Sequence, residues 1–143
     1  MSGSKSNYLS KKLIEEAIGG VAYSSAANTY LALCTTLPDD TSTGTTIVET
    51  DYASYARTLI GTGNNQTDAW NAATGTSTAV VTNKNAITCP TATGASSNPI
   101  VGIAIVDAST VGNVLYWASV TSTAIANGDT PKINAAALSV TED

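Results

Sequence analysis

Four acidic side chains that lie close together in the sequence are the first candidates for chemistry in this chain. Asp39, Asp40, Glu49 and Asp51 fall in a segment rich in Pro, Gly and Thr, which is typical of a loop. Carboxylate oxygens bind Ca²⁺, but the D-x-D-x-D-G spacing of a calcium loop is missing, so a solvated loop is favoured over a calcium site. The pattern also sets no two carboxylates at the defined separation that glycoside hydrolysis requires.

Other reactive groups are scarce. The chain has no histidine, which removes the commonest general base and the commonest metal ligand. Cys34 and Cys89 lack C-x-x-C spacing and lie in apolar, strand-like runs, so reduced core thiols are favoured over a disulfide bridge. The Gly61-Thr62-Gly63 stretch is too short for a phosphate-binding loop. We therefore expect no enzymatic activity, no cofactor and no metal.

Two side chains could instead serve recognition. Arg57 is the only arginine, and its planar guanidinium can pair with a carboxylate or stack on an aromatic ring. A structural contact, either with a loop acid such as Asp51 or with a Tyr or Trp ring, is favoured over a ligand-binding role. Trp70 stands alone among polar residues, where it either folds over the edge of the core, which is favoured, or anchors an interface.

The overall charge limits the classes of partner. Only 12% of the residues are charged, the six Lys and Arg are spread along the chain, and the net charge is −5. Nucleic-acid binding and binding to an anionic membrane both require clustered cations, so neither is expected. Residues 1–10 lack a signal-peptide pattern, and no run approaches the roughly 20 apolar residues of a membrane span. We expect a protein made in the cytoplasm.

One amphipathic helix is predicted near the N terminus, in the sequence NYLSKKLIEEAIGG. Its apolar residues fall close to one face, while Lys and Glu at i,i+4 spacing occupy the other. Ser6 or Asn7 can cap its start, and Gly19 or Gly20 can end it. This helix either packs on the chain's own sheet, which is favoured, or docks on a neighbouring subunit.

The remainder of the chain has the pattern of short strands. The clearest signal is a hairpin with apolar arms at residues 100–107 and 114–120 and a turn that ends in Gly112-Asn113. Because both faces of its arms are apolar, we expect a central pair of strands. Residues 29–35, 45–48, 78–82, 85–89, 131–134 and 137–141 are further predicted strands. The third and fourth of these flank Asn83-Lys84 as a hairpin or one bent strand.

Turn signals recur about every 8 to 12 residues, which favours a mainly β fold. We predict a β-sandwich or jelly-roll-like domain over residues 21–143, preceded by the short N-terminal helix over residues 1–20. Together these are expected to form one compact unit.

Three sequence blocks point to a known family. They are YLSKKLIEEAIGG with YLALCTTLPDD, then YARTLI with NKNAITCPTATG, and finally VGIAIVDASTVGNVLYWASV with NGDTPKINAAALSV. Together they resemble small bacteriophage virion structural proteins described as capsid decoration (cement) or tail fibre proteins. The resemblance extends over nearly the whole chain, and the last block is its most specific part.

This resemblance implies a virion structural protein, with capsid decoration as the favoured role. A cement protein would bind the outside of the shell and bridge capsid subunits, so the implied partners are the major capsid protein and copies of the chain itself, for example as a trimer. The alternative is a tail fibre or appendage module, which could carry a carbohydrate-binding surface of Trp70, Tyr52 and Tyr55 beside Asp39 and Asp51. The candidate interface residues are Tyr8, Leu9, Leu13, Ile14, Tyr55, Arg57 and Trp70.

Overall fold

A five-stranded antiparallel sheet carries most of the core of this single small domain. The computed structural model describes residues 3–61 and 65–142. The elements are β1 (Gly3–Lys5), α1 (Asn7–Ala17), β2 (Thr29–Cys34), β3 (Thr58–Ile60), a π-helical turn (Asn65–Ala69), β4 (Ala79–Thr82), β5 (Ile87–Thr88), β6 (Ile100–Val106), β7 (Val114–Thr123), β8 (Lys132–Ile133) and β9 (Ser139–Glu142). The strand order in the large sheet is β1-β7-β6-β2-β3. The predicted mainly β fold with one short N-terminal helix is confirmed.

The hairpin of β6 and β7 forms as predicted, and β6 is the central strand of the sheet. Its register pairs Ile103 with Ala118, and it shifts by a bulge between Ile105 and Val106. In the turn, the Asp107 carboxylate accepts hydrogen bonds from the backbone N–H of Asn113 at 2.7 Å and from its side-chain amide at 2.8 Å. Gly112 adopts the left-handed conformation, with φ of 73°, that glycine tolerates without strain.

Both faces of the sheet are buried, which explains the continuous apolar runs in β2 and β6. Successive side chains of a strand point to opposite faces. Leu31 and Ile103 therefore belong to the large core cluster on one face, whereas Ala32 and Ala104 belong to a smaller cluster on the other. The partly buried Ile47, from the loop after β2, packs against the smaller cluster.

Two short antiparallel ribbons, β4–β9 and β5–β8, provide side chains that complete the large core cluster. The prediction that residues 78–82 and 85–89 form a hairpin or one bent strand is wrong, since each segment pairs with a later strand. Asn83, which is fully buried between them, explains the difference. Its amide nitrogen donates to the carbonyls of Asn85 and Asn134 at 2.8 and 2.9 Å, and its amide oxygen accepts the Leu138 N–H at 2.8 Å.

The predicted strand at residues 45–48 is also absent from the described structure, where this segment is a turn. The backbone N–H groups of Thr46 and Ile47 both donate to the Thr43 carbonyl at 3.1 Å. The hydroxyl of Thr46 in turn accepts the Thr43 N–H at 2.9 Å. Threonine hydroxyls that bond to nearby backbone groups compete with strand pairing, and in this segment they stabilise a turn instead of a strand.

The N-terminal segment supplies both the helix and a strand. Ser6 caps α1, because its hydroxyl accepts the Leu9 N–H at 3.2 Å while donating to the Val114 carbonyl at 2.5 Å. Before the cap, β1 pairs with β7 at the edge of the sheet, a strand that the sequence did not suggest. The helix ends at Ala17, and Gly20 follows with φ of 67°. No helix in the described ranges is long and apolar enough to cross a membrane.

Candidate interface and its supporting clusters

The apolar stripe of α1, which supplies four of the predicted interface residues, is divided between core and surface. Leu9 is buried, and Tyr8 and Leu13 are partly buried against the large core cluster. Ile14 is 63% exposed, and Ile18, just beyond the helix, is 85% exposed. Three of the four side chains therefore attach the helix to its own domain, while Ile14 faces outward. Sequence reasoning placed Ile18 on the same face but did not include it among the interface candidates.

Arg57 lies inside the molecule with every guanidinium donor used. Its side chain is only 5% exposed, and it forms an ion pair with Glu49 in which Nε and Nη2 both donate to Oε1, at 2.9 and 2.6 Å. Nη2 also donates to the Gly44 carbonyl at 2.5 Å. Nη1 donates to the carbonyls of Ala108 and Val111, at 3.2 and 2.7 Å. The guanidinium thus joins the acidic loop to the turn of the β6–β7 hairpin.

Tyr55 completes this group, which we call the Arg57 cluster (Arg57, Glu49 and Tyr55). The Tyr55 hydroxyl donates to Glu49 Oε2 at 2.5 Å and accepts the Leu33 N–H at 3.1 Å. Burial, followed by the hydrogen bond to the Glu49 carboxylate, raises the pKa of Tyr55 far above its ordinary value. With its charges paired and its hydroxyl engaged, the cluster is arranged to stabilise the fold.

Arg57 pairs with a loop acid, as predicted, but this acid is Glu49 and not Asp51, which the sequence analysis gave as an example. Glu49 sits opposite Cys34 in an isolated β-bridge, which fixes the backbone that carries its carboxylate. Asp51 instead accepts the Ser97 N–H at 2.8 Å and the Ser96 hydroxyl at 3.1 Å. Hydrogen bonding from Ser97 holds the pKa of Asp51 below its ordinary value.

Trp70 is partly buried and packs against the large core cluster, and its indole N–H donates to the Thr29 hydroxyl at 3.2 Å. It also forms one wall of a groove of about 570 Å³ between the large sheet and the β4–β9 ribbon. Ile105 and Leu115 contribute to the groove from the sheet, and Val140 from the ribbon. The indole therefore contacts the core edge and also faces an apolar space.

A second cleft, of about 320 Å³, lies beside β9 and is bordered by β1, β6 and β7. At its end Glu142 binds the Lys5 ammonium at 2.7 Å and the Tyr116 hydroxyl at 2.8 Å. Partial burial alone would raise the pKa of Glu142. The hydrogen bonds from Lys5 and Tyr116, together with the charge of Lys5, outweigh burial and hold this pKa below its ordinary value.

The predicted carbohydrate surface is not assembled. Tyr52 is 1% exposed, its hydroxyl donates to the Pro90 carbonyl at 3.0 Å, and its ring packs edge-to-face on Tyr55 with centroids 5.3 Å apart. A sugar cannot stack on a ring that is enclosed in this way. Asp39 accepts hydrogen bonds from the N–H and hydroxyl of Thr41 at 2.9 and 2.8 Å, as in a self-contained turn.

The remaining reactive groups are equally enclosed. Cys34 and Cys89 are buried, free thiols, which confirms the preference for reduced cysteines. Burial raises the pKa of Cys34 to about 12 and also raises the pKa of Cys89. Over residues 3–61 and 65–142, no group of three or more His, Cys, Asp or Glu side chains could hold a metal ion. Residues 62 and 63 lie outside the described residues, so the structure does not test the prediction that residues 61–63 form no phosphate-binding loop.

These features define a small, mainly β domain whose polar clusters stabilise its own loops. Comparison with known families makes the class specific: residues 4–141 match the model of the podophage GP4 fiber I protein gp80 family. Because the match spans nearly the whole chain, the chain belongs to this family. No curated protein matches it. The chain is therefore a phage virion structural protein of the tail fibre type, which confirms the resemblance found in the sequence.

Proposed function

We propose that this protein is a structural module of a podophage tail fibre. The observation that carries the proposal is the family match over residues 4–141, which extends across the helix and all but the last residue of the final strand. The match favours the tail fibre alternative over capsid decoration, the role that the sequence analysis preferred. The bridging of capsid subunits by a cement protein is accordingly not part of the proposal.

A passive, non-catalytic role is supported by the state of the polar side chains. The guanidinium of Arg57 and the carboxylates of Glu49 and Asp51 are all engaged within the chain. The chain also lacks histidine, so the usual base for acid–base catalysis is missing. Polar groups whose hydrogen bonds are all satisfied make a module rigid. Rigidity suits a protein that has to hold the parts of an appendage at fixed positions.

The proposed partners are other fibre and tail subunits, including copies of the chain itself. A net charge of −5 with only six Lys and Arg argues against nucleic acid and against an anionic membrane as partners. Repeated copies on one virion would make weak single contacts sufficient, because linked contacts raise the effective concentration of each site.

Copy number tests the proposal directly. Purified virions of the parent phage would be separated on a denaturing gel, and the band of this chain would be quantified against the major capsid protein. A fibre module predicts a small copy number set by the symmetry of the tail. A copy number comparable with that of the major capsid protein would overturn the proposal and restore capsid decoration.

A further inference from the structure

The backbone of β9 has one paired side and one unpaired side. Pairing with β4 places Thr82 opposite Ser139 and Val80 opposite Thr141. Val80 directs its own N–H and C=O to Thr74, on the far side of β4, at 2.8 and 2.9 Å. Because backbone groups alternate along an antiparallel pair, Ser139 and Thr141 must direct theirs away from β4.

The unpaired side of β9 faces the 320 Å³ cleft, which Ser139 and Thr141 line. Within the described residues no strand pairs with this side. The outer edge of β4, by contrast, is covered by the β-bridge between Thr74 and Val80 and by the Asn71 N–H, which donates to the Thr82 carbonyl at 2.9 Å. β9 is short and carries one charged side chain, Glu142, which Lys5 engages, but it has no proline, lysine or bulge of its own to block pairing.

A second open edge lies on the same side of the molecule. β1 is the outer strand of the large sheet, and the Lys5–Glu142 ion pair joins it to β9. Here the Ser6 N–H donates to the Leu115 carbonyl at 3.0 Å, so by the same alternation Lys5 directs its backbone outward. As far as the described residues show, both layers of the domain thus end at this side in a strand whose outer edge is unpaired.

The charge of this side favours a second copy of the chain as its occupant. Lys5 and Glu142 neutralise each other across the cleft, whereas the whole chain carries a net charge of −5. Lys5 and Glu142 are the charged residues that line the cleft, so two copies that meet here bring no unpaired charge of the cleft lining against each other. The edge of an antiparallel strand is also self-complementary, since a twofold rotation sets its donors against its own acceptors.

We propose that two copies of the chain associate through this side, with β9 of one copy pairing antiparallel to β9 of the other. In the register that uses both outward residues, Ser139 faces Thr141 of the second copy on each side of the twofold axis. The β4–β9 ribbons then form one continuous four-stranded layer, and Val140 lies at its centre. The inference goes beyond the proposed function and does not depend on a tail location, so either can fail without the other.

A proline substitution tests the backbone contact selectively. Thr141→Pro removes an N–H that no described residue accepts, at an edge position where proline is tolerated. Thr141→Ala keeps the N–H and serves as the matched control. Sedimentation equilibrium of the full chain, from about 1 µM to about 1 mM to include weak affinities, measures the dissociation constant of each.

The expected result is a wild-type dimer, with about tenfold or greater weakening in T141P, since each dimer loses two hydrogen bonds, and little change in T141A. A wild-type chain that is monomeric throughout, a stoichiometry other than two, or a dimer that T141P leaves intact would overturn the inference. If T141P fails to fold, amide hydrogen exchange of the wild-type chain tests the β9–β9 pairing instead. Protection of the Ser139 and Thr141 N–H groups that rises with protein concentration supports the pairing, and unchanged exchange refutes it.

Discussion

Arg57 shows how one side chain organises several loops at once. Its guanidinium donates hydrogen bonds to the Glu49 carboxylate and to the carbonyl oxygens of Gly44, Ala108 and Val111. The sequence indicated that the only arginine is structural, and the geometry agrees with that interpretation. Asp51 was named only as an example of a loop acid, because sequence distance does not reveal which loop acid faces inward. That orientation depends on the pairing of Glu49 with Cys34, which is a tertiary contact.

Arg57→Ala should lower the free energy of unfolding by about 3 kcal/mol, because it leaves the Glu49 carboxylate and several carbonyls without a donor. Arg57→Lys should recover only part of this loss, since an ammonium has three donors and cannot match the planar fork. Urea unfolding followed by tryptophan fluorescence measures both. Lys11→Ala, at an exposed helix pair with a 3.6 Å separation, is the control and should change stability by less than about 0.5 kcal/mol. Equal effects of R57A and K11A would contradict the structural role.

Glu142 should make stability depend on pH at the acidic end. Its pKa is depressed in the folded state below the ordinary value of 4.5, so the unfolded state binds the proton more readily. The resulting stabilisation is present above about pH 4.5 and is lost as the pH falls through the lower folded pKa. Glu142→Gln should therefore destabilise the protein more at pH 7 than at pH 3, as measured by urea midpoints. A loss of stability in Glu142→Gln that is the same at pH 7 and at pH 3 would refute this role.

At the scale of elements, local signals located α1, β2 and the β6–β7 hairpin, but not the partners of the shorter strands. A capping serine, a helical apolar face and a glycine turn are all written within a few neighbouring residues. The pairings of β4 with β9 and of β5 with β8 join segments that are distant in sequence. They depend on Asn83, whose buried amide contacts Asn134 and Leu138, and nothing near Asn83 in the sequence indicates this. β1 was missed for the same reason, since three residues carry no strand pattern of their own.

The apolar residues of α1 are partly buried in the core and partly exposed, and this difference can be tested. Leu9→Ala should lower the free energy of unfolding by about 2 to 4 kcal/mol, because it opens a cavity beneath the helix. Ile14→Ala, at a site that is 63% exposed on the same helix, should change stability by less than about 0.5 kcal/mol. Thermal and urea unfolding of the two variants provide the comparison. A cost for I14A as large as that for L9A would mean that Ile14 is covered in the folded protein.

At the scale of the whole molecule, the chain is a β domain whose polar groups are largely occupied by its own loops. Sequence reasoning reached the class of phage virion structural protein because three blocks in register carry more information than any single motif. It preferred the capsid over the tail, and no residue distinguishes these locations on physical grounds. The family match favours the fibre. The contact surfaces could not be predicted from the helix pattern alone, since most of the apolar stripe is used within the domain.

The central claim is tested most directly by locating the chain on the virion. Antibody fragments raised against the purified protein would be bound to intact particles of the parent phage and imaged by cryo-microscopy. The account predicts added density on the fibres of the tail and an unlabelled capsid lattice. Added density that follows the capsid lattice, with bare fibres, would contradict it.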